Sequence, residues 1–83
     1  MKINKDKVLF TLLGEEGVIF DTENNKYFTL NETSVRILRG FEDGKDEEAI
    51  VKDFLDEYDI AEETCKNEVQ ETIKLLVSKG YLY

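Results

Sequence analysis

The run Lys26-Tyr27-Phe28-Thr29-Leu30-Asn31-Glu32-Thr33 constrains the fold of this chain more than any other stretch. Aromatic and β-branched residues that favour a strand lead, with no linker, into Asn31, whose side-chain oxygen suits the start of a helix. Residues before it read as sheet and residues after it as helix. The strand Lys26 to Leu30 comes last in the β part, so it is expected to end a small antiparallel sheet. Its outer backbone groups then lack a partner within the chain.

The β part begins with Val8-Leu9-Phe10-Thr11-Leu12-Leu13, apolar and rich in strand formers, followed by Gly14-Glu15-Glu16-Gly17 as the expected turn. Val18-Ile19-Phe20-Asp21 reads as the second strand. Thr22-Glu23-Asn24-Asn25 supplies turn formers, the asparagines being tolerant of left-handed backbone angles. The result is a three-stranded meander. Alternation in the third strand sets Phe28 and Leu30 on one face, expected to pack on helices, and Tyr27 and Thr29 on the other, wetter face.

In the α part, Asn31 caps the first helix, with Ser34 three residues on, and Val35, Ile37, Leu38 and Phe41 form its apolar stripe. Gly40 and Gly44 bracket its end. Asp46 caps the second helix, where Glu47 and Glu48 complement the helix dipole and Ile50, Phe54, Leu55 and Tyr58 form the buried face. The third helix spans about 62 to 79, with Gly80 ending it and releasing Tyr81-Leu82-Tyr83. Cys65, Val69, Ile73, Leu76 and Val77 share a stripe on that helix. Thr72 and Leu75 flank the stripe and widen its apolar surface, which suits either cover for the sheet or a groove.

The chain's 83 residues fit a single domain, residues 1–83, with a simple core and no room for a large active-site cavity. A hydrophobic share of 41% with no proline places it among folded domains rather than disordered tails. One cysteine, Cys65, can form no internal disulfide, and without histidine it has no companion for a zinc site. The basic start Met1-Lys2-Ile3-Asn4-Lys5-Asp6-Lys7 is followed by an apolar run too short for a signal peptide, and no stretch approaches the ~20 apolar residues of a membrane span. A cytoplasmic location is expected.

The net charge of -8 sits mainly between residues 42 and 68, where twelve acids face three lysines. Such a surface repels phosphate backbones and anionic membranes, so neither nucleic acid nor membrane is an expected partner. It suits a solvated helix face, or steering of a basic peptide. Three strands and three helices in this length also suggest an α+β, winged helix-turn-helix-like fold, a three-stranded antiparallel sheet followed by three helices. DNA binding is the usual work of such folds. Here the candidate recognition helix carries Glu62, Glu63, Glu68 and Glu71 against Lys66, Lys74 and Lys79, with no arginine to grip guanine or phosphate.

Catalysis lacks its usual parts as well. There is no histidine, Cys65 falls on a core stripe with no basic neighbourhood, and Gly14 and Gly17 are not followed by the Lys and Ser/Thr of a phosphate loop. No enzyme activity and no cofactor are expected.

The run from Gly17 to Leu38, with Tyr-Phe-x-Leu-Asn-Glu at residues 27–32, resembles the PqqD family, as do Asp46 to Val51, Leu55 to Ile60 and the closing helix from Glu68 to Leu82. The resemblance covers nearly the whole chain; one departure is Glu68, where the family often has Asp. It implies a recognition element for ribosomally made, post-translationally modified peptides, which binds the precursor's leader segment as an extra antiparallel strand on the third strand, beside the third helix. Carried onto this chain, Lys26, Tyr27, Phe28 and Thr29 supply backbone bonds, and Cys65, Glu68, Val69, Thr72 and Leu76 line side-chain pockets. The expected partners are a precursor leader peptide and a leader protease or other modifying enzyme. A free-standing domain of this kind resembles the leader-binding subunit of lasso-peptide maturation and, as the alternative, the stand-alone peptide chaperone that serves a radical-SAM enzyme in pyrroloquinoline quinone synthesis.

Overall fold

The computed structural model describes residues 1–13 and 16–83. Three strands, β1 (Val8–Leu13), β2 (Glu16–Asp21) and β3 (Lys26–Leu30), precede three helices, α1 (Glu32–Glu42), α2 (Glu47–Glu57) and α3 (Glu62–Ser78). The sheet is an antiparallel meander in the order β1-β2-β3. Strand β3 therefore stands at an edge, as its place in the sequence implies.

The register separates two faces. Leu9, Phe20 and Tyr27 stand in one row, with Thr11, Val18 and Thr29 in the next, on the outer side. Leu9 and Tyr27 are exposed there, and the Phe20 and Tyr27 rings lie 4.5 Å apart. The opposite face carries Val8 and Ile19, both sealed from solvent, with Phe10, Phe28 and Leu30 beside them. This is the side that meets the helices.

Strand β2 begins at Glu16, two residues ahead of the expected Val18, because Gly17 is a strand residue paired with Leu12 and Leu30. The rest of the expected turn, Gly14 and Glu15, lies outside the described residues. A Cβ on Gly17 would stand 2.6 Å from Val35 Cγ2, so the glycine lets α1 approach the sheet. Gly40 works in the same way. It sits in the last turn of α1, bracketing the helix end with Gly44 as expected, and a Cβ there would meet Ile50 of α2 at 2.6 Å. Gly44, with φ +84°, does close the helix.

Helix α1 is the hub, touching β2, β3, α2 and α3. Its Ile37 and Leu38 are fully enclosed, and Val35 and Phe41 are buried with them. Ile50, Val51 and Phe54 of α2 and Cys65, Val69, Ile73 and Leu76 of α3 complete the core. Val51 takes a buried place the sequence pattern did not assign. Tyr58 and Val77, both expected on buried stripes, are substantially exposed.

The last residues do not hang free beyond Gly80. Ile3 and Leu82 form an antiparallel bridge, Lys2 and Tyr83 exchange two backbone hydrogen bonds of 2.8 and 2.9 Å, and the Asn4 N–H donates to the Tyr81 carbonyl at 2.8 Å. Tyr81 and Leu82 are buried as a result. Apolar side chains at the end of a small domain gain more by closing the core than by solvation. No helix among the described residues is long and apolar enough to cross a membrane.

Candidate functional site

Helix α1 lies between strand β3 and helix α3 and touches both, and the space between the strand and the helix is marked at two points. At one end the Phe28 and Tyr81 rings lie 6.4 Å apart, and Lys79 Nζ stands 5.6 Å from the centre of the Phe28 ring. At the other end, Glu32 and Thr33 from the start of α1 meet Cys65, Glu68 and Val69 of α3 around a cavity of about 250 Å³. The beginning of β3 is thus near the end of α3, and the end of β3 near the helix's first turns.

The cavity has an apolar floor and a polar rim. Phe54, Ile60, Cys65 and Val69 supply the floor, and Glu32, Tyr58 and Glu68 the rim. The Tyr58 hydroxyl donates to the Glu32 carboxylate, which holds the phenol in place and raises its pKa. Arg36 fastens this wall: its guanidinium pairs with Glu57, lies 3.7 Å from Glu32 and packs over the Phe54 and Tyr58 rings. The hydrogen bond that Arg36 donates to the Glu57 carboxylate pushes the Arg36 pKa further up, so this cation keeps its charge. The Glu68 carboxylate has no ion-pair partner among the described residues.

Local sequence explains how the groove is framed. Asn31 takes an extended conformation and its side chain accepts the Ser34 N–H at 2.8 Å, so β3 passes into α1 without slack. At the strand's other end, Asp21 accepts the N–H groups of Glu23 and Asn24 at 3.0 and 3.1 Å and the Asn24 side-chain amide at 2.9 Å. That side-chain bond leads the lowering of the Asp21 pKa, against its burial. Asn25 completes the turn with φ 54°.

The nine residues expected at the site fall into distinct positions. Lys26, Tyr27, Phe28 and Thr29 are all exposed on the edge strand. Phe28 points to the groove, whereas Tyr27 stacks on Phe20 on the far side of the sheet. Cys65 and Val69 are buried yet form part of the cavity floor, Glu68 is on its rim, and Thr72 is half-buried one turn further on. Leu76 is 3% exposed and belongs to the core. Burial raises the Cys65 thiol's pKa, which suits a wall residue and opposes nucleophile chemistry.

Sequence reasoning did not select Glu32, Tyr58, Ile60 or Lys79 for the site, and it noted Leu75 only as a flank of the α3 stripe that suits a groove or cover for the sheet. Leu75 is 54% exposed and follows Glu68 and Thr72 along one edge of α3, a position that helical spacing shows. Glu32 and Tyr58 come together only through the crossing of α1 and α2. No periodicity signals that meeting.

The family model for coenzyme PQQ synthesis protein D (PqqD) matches residues 16–82. The chain belongs to the PqqD family. This PqqD-family chain also superposes, with a TM-score of 0.88 and 29% identity, on a structure described as TbiB1 in complex with the TbiA(beta) leader peptide, covering 99% of this chain and 94% of that one. A lasso peptide synthetase B1 complexed with its leader peptide matches at TM-score 0.84 and 16% identity, covering 95% and 93%, and shares the fold. No curated protein matches the chain in sequence. Three antiparallel strands followed by three helices are common to the family member and these neighbours.

Proposed function

We propose that this protein binds the leader segment of a ribosomal precursor peptide by strand addition on β3 and delivers it to a modifying enzyme. The observation that carries the reading is the free edge of β3 beside a cavity with an apolar floor. A peptide that adds a strand satisfies the unpaired backbone groups and places alternate side chains over the groove. Main-chain bonds then supply attraction and the cavity supplies selectivity. The likeness to TbiB1, seen with a leader peptide, supports this use of the same fold.

The stretch Lys26, Tyr27, Phe28 and Thr29 provides the backbone bonds through those alternate residues whose N–H and C=O groups point away from β2. Cys65, Glu68, Val69 and Thr72 shape the α3 side of the groove, while Leu76 supports it from the core. The protein acts as a binding module without catalysis of its own, in the cytoplasm, where ribosomal precursors are made. Lasso-peptide maturation is the favoured pathway, with a leader protease as the enzyme partner. The family's part in coenzyme PQQ synthesis supports the second reading, a peptide chaperone for a radical-SAM enzyme.

Titration of isotopically labelled protein with leader peptides from precursor genes beside its own tests the reading. Amide signals of residues 26–30 and of the α3 face from 65 to 79 should shift. If none of those peptides moves them, leader binding at this groove is wrong. A folded Phe28→Pro variant should lose binding, because proline removes an amide and distorts the edge.

A further inference from the structure

Charge is unevenly distributed along the groove. Along one edge of α3, successive turns carry Glu68, Thr72, Leu75 and Lys79, running from acid through uncharged to base, with Glu68 beside the start of α1 and Lys79 over Phe28 of β3. At the cavity end Arg36 is shared by Glu32 and Glu57, so these three groups with Glu68 hold three carboxylates against one cation. At the other end Lys79 lies over Phe28, and the exposed Lys26 begins β3. The acids near that end are engaged elsewhere: Asp21 accepts three turn hydrogen bonds, and Glu23 pairs with Lys7 at 3.7 Å.

We propose that the groove reads the order of charge in its peptide, taking Lys or Arg next to an apolar side chain at the N-terminal end of the bound strand and Asp or Glu at its C-terminal end. The inference rests on the strand-addition reading above. A peptide antiparallel to β3 lies with its N-terminal residues opposite Leu30, beside the acidic rim, and its C-terminal residues opposite Lys26. An apolar side chain enters the cavity while a neighbouring cation meets Glu68. A peptide of the same composition with its charges exchanged meets like charge at both ends. Charge order therefore fixes direction as well as preference.

The test is selection of a random peptide library by mRNA display on the immobilised protein, followed by amide-shift mapping of synthesised winners. Wild-type protein should enrich peptides with a basic residue before an apolar strand core and an acidic residue after it. A Glu68→Lys/Lys79→Glu double variant, verified as folded by circular dichroism, should enrich the opposite order. Exchanging the end charges of a wild-type winner should weaken binding about tenfold at low salt, an effect that shrinks in high salt. Winners that shift residues 26–30 but show no charge order, or the same order with both proteins, overturn the proposal and leave strand addition standing. Absence of enrichment, or winners that shift residues elsewhere, overturns strand addition and the charge order with it.

Discussion

Gly17 and Asp21 stand opposite the two ends of β3, paired with Leu30 and Lys26, and neither lines the cavity. The missing Cβ of Gly17 admits Val35 at a spacing that alanine cannot share, with Phe10 Cε1 at 3.1 Å from the same point. Gly17→Ala should therefore cost about 1–3 kcal/mol, measured by urea unfolding, through overpacking at the α1 contact. Asp21 makes a pH-dependent contribution. Its folded pKa lies below the usual 3.8 because the carboxylate accepts hydrogen bonds from Asn24 and Glu23, so its stabilisation is complete at neutral pH. That stabilisation drains as pH falls through the lowered native value. An Asp21→Asn variant should show a flatter loss of melting temperature on acidification than the parent does; an unchanged acid limb would remove Asp21 from the account.

At the scale of elements, the junction of β3 and α1 carries both fold and site. Asn31→Ala should lower stability by about 0.5–2 kcal/mol, since the Ser34 N–H loses its partner, and should weaken peptide binding by loosening the end of the edge strand. The junction was readable because its signals are local: a β-rich run, then a capping side chain, then an apolar period. Strand β3 matches its expected bounds, Lys26 to Leu30, for that reason. Gly17 misled the reading, because a glycine needed for close packing looks in sequence like a glycine needed for a turn. The groove was legible in part. Val69 lies on the apolar stripe that helical spacing shows and Glu68 was named only through the family resemblance, whereas the Tyr58–Glu32 contact on the rim depends on how α1 crosses α2. Tyr58→Phe removes that hydrogen bond while keeping the ring over Arg36. The variant should stay folded and bind peptide more weakly, read by the same titration.

Across the whole molecule, the two termini close the structure on the side where β3 meets the end of α3. Leu82 is 2% exposed and bridges to Ile3, so Leu82→Ala should cost about 2–5 kcal/mol and speed amide exchange at Asn4, whose N–H bonds to Tyr81. Tyr81 also faces Phe28, which ties the integrity of this closure to the basic end of the groove. The three-stranded sheet has two edges, β1 and β3, and β3 is the one that runs directly into α1 and whose Phe28 meets Tyr81 and Lys79. The most direct test of strand addition is hydrogen exchange of the β3 amides with and without a bound leader peptide. Outward-pointing amides among Lys26 to Leu30 should exchange rapidly in the free protein and become strongly protected in the complex, in an alternating pattern. A peptide that binds tightly while every β3 amide keeps its free exchange rate would contradict the account.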